Sequence, residues 1–352
     1  MSTPGQSAAG QELAELTQRL AQVTRELAAL SPVAVGSTPR EPVWSDGKRS
    51  LWRYGAGTKR SRHPPLLIVY ALVNRPYMLD LQPDRSLIAA LVENGHQVYL
   101  LDWGTPDRAD RELSLADYVL GFLDQCISRV RSASGAKSVD LLGVCQGGTL
   151  SLCYAALEPK QIRRLALMVT PVDFHTRDNL LARFVRDIDV DLLVRTYGNV
   201  PGELLNAAFL ALKPLRLSVQ KYLGLADLAG NREALANFLR MEQWIFDSPD
   251  QAGIAFREFV QWFYQQNRLA QGSLVIGGRP VNLKAVTCPV LNVYALQDHL
   301  VPPSASLPLA GLIGSRHYRT WAFDGGHIGI YVSARAQRQL PAALSGWLRE
   351  AL

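Results

Sequence analysis

The segment Leu141-Leu142-Gly143-Val144-Cys145-Gln146-Gly147-Gly148 carries the strongest structural signal in this chain. It predicts an apolar strand, a sharp turn with Cys145 at its centre, and a helix beyond the turn. The glycines indicate a crowded backbone, because only a residue without a Cβ fits beside such a turn. A cysteine at a helix N-terminus faces unpaired N–H groups and the helix dipole, which favour a thiolate nucleophile. The alternative is a small buried cysteine in an ordinary turn.

Composition and charge place the chain among globular proteins. Its 352 residues are 19% charged and 48% hydrophobic, which suits one enlarged domain or two smaller ones. The net charge of +6 is compatible with an anionic substrate. No basic run accompanies it, so nucleic acid is not predicted as a partner. The longest apolar run, Pro65 to Val73, is far shorter than the roughly 20 residues that span a bilayer, so no membrane span is predicted.

The remaining cysteines predict neither a metal site nor a disulfide framework. Cys126 and Cys153 lie in predicted helices and Cys288 just precedes a predicted strand, so all three are interpreted as core residues. None of the four cysteines forms a C-x-x-C pair, and no His/Cys cluster has zinc spacing. The N-terminus shows no export signal. Reduced thiols in the cytoplasm are therefore expected.

From Pro65 onward the pattern alternates between apolar strands and helices. Strands are predicted at residues 66–73, 97–103, 139–142, 165–169, 289–296 and 317–323, and helices at residues 114–131, 147–157 and 333–352. Continuous apolar strands separated by helices are typical of a parallel sheet covered on both faces. The alternation stops from about Asp173 to Leu283, where helical pieces are rich in aromatic residues. This insertion predicts a cap over the active site.

These patterns divide the chain into three parts. Residues 1–63 are interpreted as an N-terminal helical arm and linker, residues 64–172 and 284–352 as the catalytic core, and residues 173–283 as the cap. The arm has an a/d seam of a coiled coil, formed by Leu13, Leu16, Leu20, Val23, Leu27 and Leu30. The seam predicts either a partner-docking or dimerising arm, or an amphipathic helix that folds back on the domain.

A base and an acid follow Cys145 in the order that the α/β-hydrolase fold uses. Asp298 comes two residues after the predicted strand that ends at Leu296, and His327 follows the last predicted strand. In that fold the nucleophile, the acid and the histidine each sit on a loop after a sheet strand. The sequence therefore predicts a mostly parallel, doubly wound α/β-hydrolase sheet with a Cys145–Asp298–His327 triad. Because thiol–thioester exchange is nearly balanced in energy, a cysteine here suits acyl transfer better than hydrolysis.

Other groups near the predicted site receive smaller roles. The backbone N–H of Gln146 is the first oxyanion donor, and Val73, with Asn74 close behind, is the candidate for the second. His299 adjoins Asp298 but is expected to point elsewhere, as a structural residue. Asp173, near the entrance of the cap, is kept as a candidate substrate contact.

Motifs along most of the chain resemble the catalytic subunit of the class III, two-subunit polyhydroxyalkanoate synthases. The matching segments run from about Pro64 to the C-terminus and comprise residues 70–77, 80–83, 143–148, 170–174, 199–206, 244–249, 295–303 and 325–329. The first thirty-odd residues are not part of this resemblance.

This resemblance implies a substrate and a role for each triad residue. It implies polymerisation of (R)-3-hydroxyacyl-CoA, foremost 3-hydroxybutyryl-CoA, with release of CoA. Cys145 would carry the growing chain as a thioester, and His327 would take the thiol proton. Asp298 would either orient His327 or help to activate the attacking 3-hydroxyl. Coenzyme A would be a carrier and leaving group, so no cofactor is expected, and the residues that contact it are not predicted.

The resemblance also implies partners. It suggests a second, non-catalytic subunit, a dimeric catalytic unit and residence on the surface of cytoplasmic polymer granules. The alternative function is that of a thioesterase or polyester depolymerase on the same fold. Most such hydrolases use serine, and water would have to reach Cys145 readily.

Overall fold

A computed structural model of the chain describes residues 8–30, 32–55, 63–212 and 221–351. The strands are β1 (Arg40–Ser45), β2 (Ser50–Tyr54), β3 (Leu66–Val69), β4 (Asp80–Gln82), β5 (Arg85–Ser86), β6 (Val98–Asp102), β7 (Val139–Val144), β8 (Ile162–Met168), β9 (Val275–Ile276), β10 (Arg279–Pro280), β11 (Val290–Ala295) and β12 (Tyr318–Phe323). The helices are α1 (Ala8–Leu30), α2 (Leu87–Glu93), α3 (Asp124–Ser134), α4 (Gln146–Leu157), α5 (Leu180–Val185), α6 (Val190–Tyr197), α7 (Gly202–Ala211), α8 (Lys221–Leu223), α9 (Arg232–Phe246), α10 (Gly253–Phe259), α11 (Arg268–Gln271), α12 (Pro303–Ser306), α13 (Leu309–Leu312), α14 (Gly329–Val332) and α15 (Ala334–Arg349). Two π-helical segments, Asp117–Leu123 and Val260–Gln265, precede α3 and follow α10.

The main sheet brings the ends of its parallel strands to one edge. Its eight strands have the order β1-β2-β6-β3-β7-β8-β11-β12. The pairs β1/β2 and β2/β6 are antiparallel, and all pairs from β6 to β12 are parallel. Since parallel strands end at the same edge, the loops after β3, β7, β11 and β12 meet there.

Helices cover both faces of this sheet. One buried cluster joins the sheet to α3, α4 and α10 through residues such as Ile127, Leu150 and Phe259. The other joins it to α2 and α15 through residues such as Ile88 and Leu344. Strands β3 and β7 are buried along their whole length, which explains their continuous apolar sequence. The predicted fold class is confirmed.

Two strands lie in the segment that the sequence assigned to the arm and linker. β1 and β2 extend the main sheet at its antiparallel end, so the sheet begins near residue 40 and not near residue 64. Their side chains are mostly half-buried or exposed, and polar residues interrupt the apolar ones. An edge pair of this kind lacks the continuous apolar run that marks the central strands.

Strand β3 ends at Val69, and residues 70–73 form a loop that the sequence placed in the strand. Side chains bond to part of the backbone of this loop in place of sheet partners. Trp103 Nε1 donates to the carbonyl oxygen of Tyr70 at 2.9 Å, and the N–H of Leu72 donates to Gln146 Oε1 at 3.0 Å. The apolar composition of residues 70–73 reflects burial beneath the cap rather than strand pairing.

The described part of residues 173–283 contains helices α5 to α11 and a small hairpin of β9 and β10. The hairpin was not predicted, because each strand has only two residues. Parts of the predicted arm, cap and final helix, namely residues 1–7, 31, 56–62, 213–220 and 352, lie outside the described residues.

Helix α1 folds back on the cap along the C-terminal half of its leucine seam. Val23 is 2% exposed and packs in a cluster with Leu225 and Leu235. Glu26 also accepts a hydrogen bond from the N–H of Gly230 at 3.0 Å. The N-terminal half of the seam is less covered, and Leu13 remains 65% exposed.

Acidification is expected to weaken the scaffold through His96, at the end of the loop before β6. Burial, helped by His63, Arg349 and Arg163, lowers the pKa of His96 from 6.5 to about 4. As the pH falls below 6.5, His96 is protonated in the unfolded chain, but in the folded chain it is protonated only near pH 4. The free energy of unfolding therefore falls between pH 6.5 and 4, by up to about 1.4 kcal/mol per pH unit.

The measurement is the free energy of unfolding in urea at pH 7.5, 6 and 5. The His96→Gln variant can keep a hydrogen bond to Ser345, which lies 3.1 Å from the imidazole in the native chain, but it cannot titrate. Its stability should decline less between pH 7.5 and 5 than that of the native chain. Equal declines in the two proteins would contradict this role of His96.

Candidate active site

The turn after β7 holds Cys145 in a strained conformation. Its φ of 53° and ψ of −124° are unusual for a residue with a side chain. The backbone around it is well fixed, since the N–H of Cys145 donates to the carbonyl oxygen of Met168 and its own carbonyl accepts from the N–H of Gly148, both at 2.9 Å. Strain of this kind costs about 1–3 kcal/mol and persists where the surroundings impose it. It places the thiol at the tip of the turn.

The glycines of the turn are required by close packing. A Cβ at Gly143 would lie 2.5 Å from the Cα of Gly148 and 2.8 Å from Ser151 Oγ. A Cβ at Gly147 would collide with the carbonyl oxygens of Val69 and Tyr70, at the end of β3. The glycines therefore let the first turn of α4 approach the loop after β3.

Asp298 and His327 meet because β11 and β12 are parallel neighbours. Their following loops are joined by a hydrogen bond from the N–H of Gln297 to the carbonyl oxygen of Gly325, at 2.8 Å. Asp298 Oδ2 lies 2.6 Å from His327 Nδ1. Asp298 Oδ1 accepts from the N–H groups of Leu300 and Val301, both at 2.9 Å. Both carboxylate oxygens are thus occupied, and the Asp298 side chain is 0% exposed.

The environment of His327 favours its protonated form. Burial opposes the charge, but the Asp298 carboxylate and hydrogen bonds to Asp298 and Cys145 outweigh burial and raise the pKa of His327 to about 10. Because Asp298 accepts the proton on Nδ1, the proton that His327 gains or loses is the one on Nε2, the nitrogen left for Cys145. The structure therefore brings the three residues of the predicted triad into one hydrogen-bonded chain.

The two predicted oxyanion donors lie beside Cys145 with their N–H groups unused. Gln146 is the first residue of α4, where helix N–H groups have no partner within the helix. Within the described ranges, no hydrogen bond uses the N–H of Gln146 or of Val73. Both residues line the same cavity as the thiol. Leu72, by contrast, already donates its N–H to the Gln146 side chain.

A cavity of about 240 Å³ joins the triad to the cap. The core contributes Tyr70, Val73, Cys145, Gln146 and His327 to its wall. The cap contributes mainly apolar side chains, among them Leu181, Val185, Leu205, Phe209, Trp244, Ile245, Phe256, Phe259 and Tyr264. Cys145 therefore faces a largely apolar cavity whose wall is formed in large part by the cap.

Two of the other predicted residues differ from expectation. His299 was expected to point elsewhere, but it lines the cavity beside Leu300. Asp173 does not line it. Its Oδ1 accepts from the N–H of His175 at 3.0 Å and from Asn267 Nδ2 at 2.9 Å, so the carboxylate supports the local backbone and not a substrate.

Several cavity residues were missed because nothing in their local sequence marks them. Leu181 and Val185 on α5, and Leu205 and Phe209 on α7, resemble ordinary apolar helix positions. Gln251 follows a segment that matched the family pattern but received no role. Only the packing of the cap on the core shows that Gln251 lines the cavity.

Across the described ranges, no three His, Cys, Asp or Glu side chains lie together as a metal ion would require. In the same part of the chain, no helix combines the length and the apolar character needed to cross a bilayer.

Comparison with known proteins agrees with the fold. Residues 64–334 match the alpha/beta hydrolase fold family. A monoacylglycerol lipase of Paleococcus ferrophilus aligns with a TM-score of 0.52 and 16% identity, covering 85% of this chain and 98% of that one. A serine hydrolase of Cycloclasticus zankles aligns with a TM-score of 0.52 and 12% identity, covering 89% of this chain and all (100%) of that one. The fold and the site define a protein of the α/β-hydrolase class with cysteine at the nucleophile position.

Relatives in amino-acid sequence show which family within the α/β-hydrolase class this chain belongs to. The poly(3-hydroxyalkanoate) polymerase subunit PhaC of Allochromatium vinosum is 52% identical over 342 residues, which cover 97% of this chain and 96% of that protein. The PhaC subunit of a Synechocystis species is 50% identical over 325 residues, covering 90% of this chain and 86% of that protein. The chain belongs to the PhaC family of poly(3-hydroxyalkanoate) polymerase subunits. This confirms the resemblance seen in the sequence motifs.

Proposed function

We propose that the protein polymerises (R)-3-hydroxyacyl-CoA into a polyester with release of CoA, and that Cys145 carries the acyl chain as a thioester. The observation that carries the proposal is the Cys145–His327–Asp298 chain beneath an apolar cap. Membership of the polymerase family supports the reaction. The foremost substrate is 3-hydroxybutyryl-CoA.

In the first step His327 takes the thiol proton, and Cys145 Sγ attacks the thioester carbonyl carbon. The carbonyl electron pair moves onto oxygen, where the N–H groups of Gln146 and Val73 stabilise it. Collapse re-forms the carbonyl and breaks the bond to the CoA sulfur, which receives the proton from His327. One thioester replaces another, so the step is nearly balanced in energy.

In the second step the 3-hydroxyl of another acyl unit attacks the Cys145 thioester. His327 takes the hydroxyl proton, the ester bond forms, and the bond to Cys145 Sγ breaks with return of a proton to sulfur. The 3-hydroxyl must accept the acyl group in preference to water, so water must be kept out of the cavity. The apolar cap side chains around Cys145 support such exclusion.

For Asp298 we propose the orienting role. Its Oδ2 is engaged by His327 and its Oδ1 by two backbone N–H groups, and the carboxylate is fully buried. Asp298 does not line the cavity, so its carboxylate is poorly placed to accept a substrate hydroxyl directly. The residues named supply nucleophile, base and oxyanion donors, and we propose that CoA is substrate and leaving group without a retained cofactor.

We also propose a second non-catalytic subunit, a dimeric catalytic unit and residence on the surface of cytoplasmic polymer granules. The name of the relatives as polymerase subunits supports a partner for this chain. Exposed apolar side chains of the cap, Phe184, Leu192, Tyr197 and Phe246, support an apolar contact surface. All four cysteines are free thiols, in keeping with a reducing compartment.

The test is the product formed from purified full-length chain and (R)-3-hydroxybutyryl-CoA, with and without a co-expressed partner subunit. We expect polymer and an equivalent amount of free CoA, formed slowly by the chain alone and faster with the partner. Free 3-hydroxybutyrate without polymer would identify a thioesterase instead. Full activity without any partner would remove the second subunit from the proposal.

A further inference from the structure

The backbone of Leu72, in the loop after β3, is held on its two sides by hydrogen bonds from the core and from the cap. The N–H of Leu72 donates to Gln146 Oε1 at 3.0 Å, from the residue that follows the cysteine. The carbonyl oxygen of Leu72 accepts from Gln251 Nε2 at 2.8 Å, from the cap. Gln251 is only 5% exposed and lines the cavity.

The second of these bonds determines where the N–H of Val73 points. The carbonyl of Leu72 and the N–H of Val73 belong to the same planar, trans peptide and point in opposite directions. A donor that fixes the carbonyl on one side therefore directs the N–H to the other. The bond also polarises the peptide, which strengthens its N–H as a donor.

Gln251 is itself firmly placed. Its backbone N–H and carbonyl each bond to the backbone of Val200 at 2.9 Å, which ties it to the residues before α7. The same loop of the core is attached to the cap a second time, because Asn74 Nδ2 donates to Ser248 Oγ at 2.9 Å and to the carbonyl oxygen of Trp244 at 3.1 Å. Asn74 adopts a left-handed φ of 56° there. The position of the loop therefore depends on the position of the cap.

We propose that Gln251 is a positioning residue of the oxyanion hole: from the cap, it orients the Leu72–Val73 peptide so that the Val73 N–H meets the oxygen of the tetrahedral intermediate. The hole is complete only when the cap lies on the core as it does here. This inference rests on the proposed acyl transfer through Cys145. Gln251 touches neither the sulfur nor the reacting carbonyl in this role.

The first test replaces Gln251 by methionine, which keeps the length of the side chain and removes its donor. We expect kcat for CoA release to fall about 10- to 100-fold, somewhat less than the loss of a whole oxyanion donor, with KM changed less than threefold. Alkylation of Cys145 by iodoacetamide forms no oxyanion, so its rate should stay within twofold of the native rate. The control is Gln261→Met, since Gln261 is also a glutamine of the cap whose side chain donates a hydrogen bond, to Asp191 Oδ2 at 2.9 Å, and it should keep its kcat.

A second variant separates orientation from packing. In Gln251→Glu, a carboxylate faces the Leu72 carbonyl and repels it, whereas the protonated carboxyl can donate to it. The ratio of kcat for Gln251→Glu to kcat for Gln251→Met should therefore rise as the pH falls from 8.5 to 6. A ratio independent of pH, or a kcat for Gln251→Met within twofold of the native value, would overturn the proposal.

These results are distinct from a failure of the proposed function. If Cys145→Ala retained CoA release, acyl transfer through Cys145 would fail whatever Gln251 does. If Cys145→Ala were inactive while Gln251→Met kept full kcat, the role of Gln251 alone would be refuted. An equal loss of kcat in Gln261→Met would assign the effect to cap packing and would also refute it.

Discussion

Replacing Cys145 by serine is expected to lower polymer formation by on the order of 10³-fold or more, with the fold unchanged. The hydroxyl of serine gives up its proton far less readily than a thiol, and an oxygen ester on the enzyme is a poorer acyl donor than a thioester. The two side chains differ little in size, so the strained turn at a φ of 53° should persist. Polymer yield and CoA release, measured with circular dichroism of both proteins, check the expectation.

The matched control is Cys288→Ser. Cys288 is a half-buried thiol just before β11, outside the cavity, so the same chemical change there should leave polymerisation nearly intact. Iodoacetamide should still modify Cys145 in this control, with loss of activity. Polymerisation by Cys145→Ser above a tenth of the native rate would contradict the thioester role.

Replacing Asp298 by asparagine is expected to lower the rate about 10²- to 10⁴-fold by imposing the wrong tautomer on His327. Two N–H groups, from Leu300 and Val301, need an acceptor at the Oδ1 position, so the amide oxygen of the new side chain must stay there. Its NH₂ group then faces His327 Nδ1 and donates to it. The imidazole is left with its proton on Nε2, toward Cys145, and cannot take the thiol proton.

The kinetic phase that is lost distinguishes the two roles considered for Asp298. If it orients His327, the first rapid release of CoA, which reports acylation of Cys145, should slow together with chain growth. If it activates the substrate hydroxyl, that first release should survive and only chain growth should fail. Asp324→Asn is the matched control, because Asp324 lies three residues before His327 but pairs with Gln297 and Arg335 at the surface.

The same variant should change the dependence of stability on pH. The pKa of His327 is raised from 6.5 to about 10 in the folded chain, so its interaction with Asp298 stabilises the fold fully below pH 6.5 and progressively less as the pH rises toward 10. The native chain should therefore exceed Asp298→Asn in unfolding free energy most near pH 6. A difference that grows between pH 6 and 10 would contradict this assignment. His96 is present in both proteins and cancels in the comparison.

The triad was predictable because its residues follow a rule of order along the chain. Cys145, Asp298 and His327 each come just after a strand of the sheet, and parallel strands bring such positions to one edge of it. The glycines around Cys145 were predictable for a similarly local reason, since a sharp turn excludes Cβ atoms. Their catalytic roles remain predictions for the variants above.

Features that depend on contacts between distant segments were not predictable in this way. The leucine seam of α1 was compatible with a docking arm or a folded-back helix, and only the contacts of Val23 with Leu225 and Leu235 show that its C-terminal half packs on the cap. The apolar run from Leu66 to Val73 looked like one strand. Burial under the cap makes residues 70–73 apolar although they pair with no strand, and composition does not distinguish the two causes.

The amino-acid sequence by itself determined the α/β sheet, the turn at Cys145 and the order of the acid and the base, because each depends on local periodicity, turn sterics and chain order. The tertiary structure alone decided which further groups line the cavity with Cys145, among them His299 and Gln251, whose amide donates to the Leu72 carbonyl. The hydrogen bond between Gln251 and Leu72 joins residues 179 positions apart. It leaves no periodic pattern in the sequence, because Gln251 alone resembles any polar residue of the cap and Leu72 alone resembles any apolar residue of its loop.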